Sequence, residues 1–331
     1  MNLSRRVLIT ATAIGALSGL SALTTAARAQ SSAPSDWPSK PIKIVVGFPP
    51  GTAPDVFARI YGDYVSKKLG VPVLIDNKPG ASGNLASDLV AKSPADGYTV
   101  LYSLSTAFTI NPYIYAKLPF DPDKDLVPVA TTIRQGLVMI TNPKNPVSNV
   151  KELVAAAKAK PGAISYASYG AGSPSHLIVE WVKDEAKIDM LHVPYRTNPT
   201  IDLVGGQVDT LMEPVSTAFP LIAGGRAKAL GYSGVSRHPS LLNVPTLAET
   251  IPGLSVMSWH GIWAPSAAPA GVLSRLNAVM VEASKDPDMQ KRIKDLNVEP
   301  LGVARSEMAS MVSRDAEVFS RIVKSRNITV D

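Results

Sequence analysis

The sequence predicts an α/β protein with two lobes, each built from strands and covering helices. Short β-branched runs alternate with runs of helical spacing, an order that favours a mostly parallel sheet. A Pro- and Asp-rich stretch at 111–128 interrupts the alternation, which then resumes. The length of 331 residues is enough for two domains of ordinary size. We expect more than one crossing of the chain between the lobes.

Residues 1–29 have the pattern of a bacterial secretory signal peptide. Arg5 and Arg6 precede an apolar stretch at 9–23, and Ala27-Arg28-Ala29 is a small-x-small cleavage site. A membrane anchor is disfavoured, because the stretch is short and rich in small residues. Paired arginines occur in both general secretory and twin-arginine signals, so the export route stays open. We therefore expect a periplasmic protein.

Composition excludes several classes of function. The chain has no cysteine, which excludes disulfides, thiolate metal sites and a cysteine nucleophile. Its formal net charge of +6 falls to +3 without residues 1–29, which hold three arginines and no acidic residue. No clustered basic stripe remains, so nucleic acid is not an expected partner.

The first half of the chain supplies a βαβαβ unit. A strand is expected at 42–48, and Thr52, Pro54 and Asp55 together resemble a capping box at the start of the next helix. The other elements of this half are a strand, a helix, a strand and a loop, expected at 71–75, 81–92, 98–102 and 111–128.

The second half repeats the alternation and then returns to the first lobe. Strands are expected at 137–141, 164–168, 190–194, 208–212 and 229–233, and helices at 150–159, 174–186, 199–204 and 218–224. An apolar run at 255–264 is expected to cross back, and amphipathic helices at 269–284 and 305–323 close the chain. The predicted domains are 30–133 with 255–331 for one lobe, and 134–254 for the other.

Two loops about a hundred residues apart are alike. Phe48-Pro49-Pro50-Gly51-Thr52 and Ser168-Tyr169-Gly170-Ala171-Gly172-Ser173 each follow a predicted strand and open a predicted helix. Ser173 can cap its helix, with Pro174 at the first helical position. Helix starts carry unpaired N–H groups and the positive end of the helix dipole. Two such ends facing each other would bind an anion such as a small carboxylate.

Other site types are less well supported. Gly170-Ala171-Gly172 does not complete a dinucleotide fingerprint, because Ser175 stands where glycine is required. His176 and Glu180 are one helical turn apart, but a metal site needs a third ligand, so we expect no metal and no cofactor. A serine hydrolase needs a nucleophile elbow, which no serine here supplies in full; a triad hidden from the sequence leaves this alternative open.

Two arginines are further candidates. Arg134 and Arg196 stand beside predicted loops or strand ends close to the expected crossings. A guanidinium group can hold a carboxylate through two hydrogen bonds, although a surface arginine in solvent is equally compatible with the sequence. Our hypothesis is that one of them reads a second acidic group on the ligand.

The ordered motifs resemble one family over nearly the whole mature chain. The match includes Phe48-Pro49-Pro50-Gly51 with Asp55, Asn77-Lys78-Pro79-Gly80, and Asp96-Gly97-Tyr98, followed later by Ser168-x-Gly170-x-Gly172-Ser173-x-x-His176, His192-Val193-Pro194-Tyr195 and Gly205-Gly206-Gln207-Val208-Asp209. The sequence is similar to the periplasmic receptors of tripartite tricarboxylate transporters, the Bug group of solute-binding proteins. It departs from the family pattern at Thr52, at Arg134 and after Tyr195.

The resemblance implies a type II periplasmic-binding-protein fold with a ligand cleft between the lobes. It also implies a carboxylate ligand and the delivery of this ligand to a membrane permease. We expect no catalytic residues. We expect a monomer; a receptor that serves a membrane signalling kinase is an alternative. With the two arginines, the expected binding residues are Phe48, Pro50, Gly51, Thr52, Ala53, Ser82, Gly83, Ser103, Ser105, Thr106, Arg134, Ser168, Gly170, Ala171, Gly172, Ser173 and Arg196.

Overall fold

The computed structural model describes residues 36–195 and 198–330. Within these ranges the chain forms two β-sheets with buried side chains on both faces of each, which confirms the predicted two-lobed α/β class. The predicted signal peptide at 1–29 and Arg196 lie outside the described residues. No helix in the described ranges is both long enough and apolar enough to cross a membrane.

The elements follow one another in an α/β order. The strands are β1 (Ile42–Val46), β2 (Val73–Asn77), β3 (Thr99–Leu104), β4 (Leu126–Gln135), β5 (Leu137–Thr141), β6 (Ser165–Ser168), β7 (Leu191–Pro194), β8 (Thr210–Pro214), β9 (Lys228–Tyr232), β10 (Ser258–Pro265) and β11 (Glu299–Pro300). The α-helices are α1 (Ala53–Leu69), α2 (Asn84–Ala91), α3 (Thr106–Thr109), α4 (Asn111–Ile114), α5 (Val150–Ala159), α6 (Pro174–Ala186), α7 (Thr200–Gly205), α8 (Val215–Ala223), α9 (Ala270–Lys285), α10 (Pro287–Lys294) and α11 (Arg305–Ser325).

Most strands run in one direction, as predicted, but both sheets are mixed because β5, β10 and β11 run the opposite way. The first sheet has the order β11-β4-β10-β3-β1-β2, and the second has the order β7-β6-β8-β5-β9. β1, β2 and β3 are parallel, as are β6, β7 and β8, but β10 and β5 run antiparallel to their neighbours. The reason is connectivity: β5 and β10 enter their sheets from the other lobe, at the edge where the βαβ strands end.

Each lobe has its own core. In the first lobe, Phe57 and Tyr61 of α1 pack with Leu276 of α9 on one face of the sheet. Trp259 and Trp263 of β10 are buried on the opposite face. The second sheet is covered by α5 and α6 on one face and by α7 and α8 on the other. Burial of this apolar surface is the main force that holds each lobe together.

The lobes also share a core. Ile114 of α4 and Phe319 and Ile322 of α11 pack against Leu177 of α6, which belongs to the second lobe. Just beyond α11, Arg326 lies 3.5 Å from a carboxylate oxygen of Asp184. The C-terminal helix therefore fastens the second lobe to the first.

The sequence prediction missed elements in the 106–135 region and near the C-terminus. α3 and α4 are single turns, too short for helical periodicity to reveal, and α10 was not predicted. β4 begins at Leu126 and includes Pro128, inside the expected loop. Proline is tolerated there because β11 pairs only with Ile133 and Arg134, which leaves that side of β4 without a ladder partner at Pro128.

Candidate functional site

The carboxyl ends of the parallel strands face the junction between the lobes. β4 ends at Gln135 and β5 begins at Leu137, so the first crossing is Gly136 alone. The second crossing follows β9 and enters β10, and the Val256 N–H donates to the Ser233 carbonyl beside it. Because the crossings join these two edges, the loops after β1, β3, β6 and β8 lie on the sides where the lobes meet. Ligands of open α/β sheets bind at such edges.

Three loops of the first lobe converge. A side chain on Gly47 would place its Cβ 2.7 Å from the Cα of Gly83, so only glycine allows this approach. A Cβ on Gly83 would lie 3.6 Å from the Phe48 ring and 3.7 Å from the Ser103 hydroxyl oxygen. The structure therefore brings together Phe48, Gly83 and Ser103, which the sequence placed in one site.

A carboxylate in the first turn of α1, that of Asp55, accepts a backbone N–H group just before the helix. Asp55 is buried, and its oxygens accept the Gly51 N–H at 2.9 Å, the Arg59 guanidinium at 2.9 and 3.1 Å, and the Asn77 amide at 2.9 Å. Burial acts to raise the pKa of Asp55, but the hydrogen bonds from Arg59, Gly51 and Asn77 outweigh it and lower that pKa.

The predicted cap at Thr52 is wrong. Its side chain makes no cap hydrogen bond to the start of α1, and its hydroxyl instead donates to the Pro49 carbonyl at 2.7 Å. The Asp55 carboxylate accepts the Gly51 N–H in the same turn, so the acceptor at this helix start is Asp55 and not Thr52. Pro50 and Gly51 are exposed at the tip of this loop.

The turn before α2 is strained. Ser82 has φ 54° and ψ 33°, and Ala81 also has a positive φ of 46°. Residues other than glycine rarely adopt this backbone region. The Asn111 amide donates to the Ser82 carbonyl at 3.4 Å and the Tyr115 hydroxyl donates to the Ser82 hydroxyl at 3.3 Å. Strain held in place by neighbours is typical of functional loops.

The end of β3 contributes buried hydroxyl groups. Ser103 is fully buried, and its hydroxyl has no hydrogen-bond partner in the described part of the chain. Ser105 and Thr106 are buried at the start of α3, where the Ser105 N–H donates to the Trp259 carbonyl. A buried hydroxyl without a partner is costly, so Ser103 favours a site that a ligand or water completes.

The second loop is built as the sequence predicts. Ser173 caps α6 by accepting the His176 N–H, and Pro174 occupies the first turn. Gly170 and Gly172 have φ values of 105° and 75°, which glycine adopts without strain. A Cβ on Gly172 would lie 2.1 Å from the terminal carbon of Ile114, so glycine also permits contact with the first lobe.

A buried histidine layer supports this loop. The Gly172 N–H donates to Nδ1 of His176 at 3.0 Å, and the His176 ring stacks on His192 at 4.0 Å. Burial, with a smaller contribution from His192, lowers the pKa of His176 to about 4. The Ser168 hydroxyl lies 2.7 Å from Nε2 of His192. Ser168 is fully buried, and its contact with His192 holds the end of β6 against β7.

Two backbone N–H groups, one just after the 48–52 loop and one within the 168–173 loop, make no hydrogen bond in the described part of the chain. The N–H groups of Ala53 and Ala171 have no hydrogen-bond partner among the described residues. Their neighbours are occupied, because Gly51 donates to Asp55 and Gly172 donates to His176. These two N–H groups at positive helix ends are available to an anion.

The loops lie close to the same bridging helix. Asn111 of α4 donates to the Asn84 side chain at 2.7 Å and also contacts the Ser82 turn. Three residues later, Ile114 packs against Gly172 of the second lobe. A four-residue helix thus connects the Ser82 turn to the second loop, so the second loop faces the first lobe.

The sequence prediction missed a buried acidic group beside the second loop. Glu213 near the end of β8 is 1% exposed, and both of its carboxylate oxygens accept the Tyr169 hydroxyl, at 3.0 and 2.8 Å. The Thr217 hydroxyl also donates to it. Burial raises the pKa of Glu213 to about 7, against the weaker effect of the two hydroxyls. The available signal was an acidic residue directly after the apolar strand predicted at 208–212.

Of the two arginine candidates, the structure describes only Arg134, which pairs outside this cluster. Arg134 is half-exposed near the end of β4, and its Nε donates to Glu299 at 2.7 Å. Arg196 lies outside the described residues. The hypothesis that one of them reads a second acidic group stays a prediction.

Two surface pockets lie elsewhere. One of about 380 Å³ sits beside Lys183 and Arg326 at the seam between the lobes, and one of about 530 Å³ sits beside Tyr115 and Phe120. Neither is lined by the expected binding residues. The candidate site is therefore defined by the converging loops and their unused donors.

Comparison with known proteins shows which family this chain belongs to. Residues 57–328 match the Tripartite tricarboxylate transporter family receptor. The UPF0065 protein in the tcbD–tcbE intergenic region of Pseudomonas sp. strain P51 is 36% identical, over 87% of this chain and 86% of its own length.

Solved structures give the same result. An R. palustris protein with adipate has a TM-score of 0.82 and 28% identity, covering 89% of this chain and 99% of that chain. MatC from Rhodopseudomonas palustris with bound malate has a TM-score of 0.77 and 28% identity, covering 87% and 100%. These likenesses confirm the expected two-lobed binding-protein fold.

Proposed function

Because the chain belongs to the receptor family of the tripartite tricarboxylate transporters, we propose that it is a periplasmic receptor that captures a small carboxylate and delivers it to a membrane permease of that type. The observation that carries this proposal is the pair of loops at 48–52 and 168–173. They open α1 and α6 at the edges where the lobes meet, and the N–H groups of Ala53, at the start of α1, and of Ala171 have no partner among the described residues.

The chemistry of the site suits an organic anion. Its donors are backbone N–H groups and hydroxyls, including the buried Ser103 hydroxyl, which has no partner in the described structure. Such donors bind a carboxylate without a cationic side chain, because the helix dipole supplies positive potential. Relatives with adipate and malate support a carboxylate ligand for this chain as well.

Capture proceeds by closure of the lobes. A ligand that touches donors from both lobes binds the closed form more tightly than the open form, and so shifts the population towards closure. Gly136 and the second crossing are the segments about which such a motion takes place. No bond in the ligand is made or broken in this cycle, and the receptor works as a monomer.

The alternatives predict different results. A receptor for a membrane signalling kinase would bind the same ligand, but its deletion would abolish a transcriptional response while uptake persisted. A serine hydrolase would consume an ester or amide and react with serine-directed inhibitors.

A thermal-shift screen of the purified protein against carboxylates and their matched primary amides tests the proposal. A ligand at about a thousand times its dissociation constant stabilises the folded protein by roughly 4 kcal/mol. We expect shifts with acids and none with the amides. Failure of mono-, di-, tri- and aromatic carboxylates to raise the melting temperature would contradict the proposal.

A pair of cap variants locates the site. Ser173→Ala removes the cap at the second loop, whereas Asn149→Ala removes the cap of α5, which accepts the Glu152 N–H outside the site. We expect Ser173→Ala to weaken binding of the best acid about tenfold, a change of about 1.4 kcal/mol. Asn149→Ala should leave affinity unchanged. Equal affinities for both variants and the wild type would place the ligand elsewhere.

A further inference from the structure

Tyr169 is fixed at both ends yet is partly exposed. Its backbone N–H donates to the Ser175 hydroxyl at 3.1 Å, and its own hydroxyl donates to Glu213. Glu213 is 1% exposed, but Tyr169 as a whole is 43% exposed. The hydroxyl end is therefore buried, and the accessible surface belongs mainly to the apolar part of the residue.

The ring lies along the edge of the second sheet that faces the other lobe. Tyr169 directly follows β6, and it reaches sideways to Glu213 near the end of β8 and towards Thr217 in α8. β6 and β8 are neighbours and parallel, so their carboxyl ends share one edge. The side chain spans these two strand ends, one residue away from the loop glycine Gly170.

Among residues 36–195 and 198–330, which leave out Arg196, this corner of the site offers no unused side-chain donor to a second carboxylate. The Tyr169 hydroxyl hydrogen is already given to Glu213, and so is that of Thr217. Among the described residues, no lysine or arginine hydrogen-bonds to Tyr169, Glu213 or Thr217, and the guanidinium of Arg134 pairs with Glu299. A second ligand anion here would also approach the acidic Glu213, which is unfavourable at short range.

We infer that Tyr169 is a specificity-determining residue whose ring selects ligands with one carboxylate and an apolar body, and that Glu213 is the positioning residue that holds this ring. The inference rests on the proposed function, since the ligand carboxylate occupies the loop donors and its hydrocarbon part lies against the ring. Burial of hydrocarbon against an aromatic face supplies affinity in proportion to the area covered.

Hexanoate and adipate form the matched probe pair, because both have six carbons and differ by one carboxylate. We expect calorimetry on the purified protein to show hexanoate binding at least about tenfold more tightly than adipate. Tyr169→Ala should remove this preference by weakening hexanoate. Tyr169→Phe keeps the ring and should retain most of the hexanoate affinity.

Glu213→Gln separates positioning from charge. The glutamine oxygen can still accept the Tyr169 hydroxyl, so the hexanoate affinity of this variant should stay well above that of Tyr169→Ala. Removal of the negative charge should improve adipate binding several-fold near pH 8, where Glu213 is ionised, and little near pH 5. Leu191→Ala is the control, since this exposed residue lies at the start of β7, on the opposite edge of the same sheet.

The outcomes distinguish the two proposals. If adipate binds as tightly as hexanoate, or if Tyr169→Ala still prefers hexanoate, the inference about Tyr169 is wrong. Neither result contradicts the proposal that the protein captures a carboxylate. Binding of malate without binding of hexanoate or adipate would also contradict the inference about Tyr169. If no carboxylate binds at all, the proposed function fails and the inference fails with it.

Discussion

The loops at 48–52 and 168–173 resemble each other in sequence, but they neutralise their helix starts by different chemistry. In the first lobe a buried carboxylate, Asp55, accepts the Gly51 N–H and pairs with Arg59. In the second lobe the neutral groups of Ser173 and His176 accept the corresponding N–H groups. The dipole of α1 is thus already opposed by a fixed negative charge, whereas that of α6 is not. The second loop should therefore contribute more to binding an anionic ligand.

The buried acids of the two lobes differ in the same way. Asp55 has a cationic partner and its pKa is lowered, so its charge is part of the folded structure. Glu213 has only hydroxyl partners and its pKa is raised to about 7. One carboxylate stabilises its loop when ionised, and the other destabilises its surroundings when ionised.

Replacement of Asp55 should have the largest effect on stability. Asp55→Ala leaves Arg59, Asn77 and the Gly51 N–H without their shared acceptor, and we expect a loss of about 3 kcal/mol in the free energy of unfolding. Urea denaturation measures this change. Asp63→Ala on the same helix is the control, because its carboxylate is exposed and should matter by less than about 0.5 kcal/mol. Equal losses in the two variants would remove the distinction between the loops.

The loop glycines should respond unequally to the same substitution. Gly51 and Gly172 both have positive φ, but a Cβ on Gly51 meets nothing within 4 Å, whereas one on Gly172 meets Ile114 at 2.1 Å. We expect Gly51→Ala to cost about 1–2 kcal/mol for the backbone alone. Gly172→Ala should cost about 1–2 kcal/mol more, because Ile114 must move within the shared core. Similar losses in urea denaturation would mean that Gly172 does not pack against the first lobe.

The pH dependence of stability should reveal Glu213. Its folded pKa of about 7 exceeds its ordinary value of 4.5, so the unfolded chain gives up this proton first. The free energy of unfolding therefore falls as pH rises from 4.5 through 7, by an amount of about 2–3 kcal/mol. Asp55 acts in the opposite sense, since its pKa is lowered and its stabilisation is lost only in strong acid.

Glu213→Gln isolates this contribution. The variant should be more stable than the wild type at pH 8 and equally stable or slightly less stable at pH 5. Thermal denaturation across this range measures the difference, with Glu307→Gln, an exposed residue of α11, as the control. A wild type and a Glu213→Gln variant with parallel pH profiles would show that Glu213 titrates normally.

The smallest expected effect concerns the caps. Ser173→Ala should lower the free energy of unfolding by about 1 kcal/mol, because it removes the acceptor at the start of α6. Thr52→Ala should change it by less than about 0.5 kcal/mol, since Thr52 makes no cap bond. Chemical denaturation compares the two; a larger loss for Thr52→Ala would contradict the described first loop.

The sequence predicted the elements that depend on local patterns. The alternation of strands and helices, the start of α6 at Pro174 and the cap at Ser173 all follow from neighbours along the chain, and the structure confirms them. The mixed sheets could not be predicted in this way. The directions of β5 and β10 are set by the crossings between lobes, which local periodicity does not record.

Long-range contacts explain what was missed in the site. Thr52 has the residue type of a cap, but its hydroxyl donates to the Pro49 carbonyl, and Asn77 on β2 helps to hold the Asp55 carboxylate that accepts the Gly51 N–H. The Tyr169–Glu213 contact joins residues 44 positions apart. The strained Ser82 turn is held by Asn111 and Tyr115, which lie in the stretch 111–128 that the sequence predicts as a loop. Contacts between residues this far apart along the chain cannot be predicted from local sequence patterns, because they depend on how the strands pair.

Amide NMR of the labelled protein during titration with its best carboxylate tests directly whether both loops hold one anion. We predict that the Ala53 and Ala171 amide protons both move downfield and saturate at the same ligand concentration, while the Val150 amide at the start of α5 stays in place. Saturation at different concentrations, or movement of neither loop amide despite binding, would contradict a shared carboxylate between the lobes.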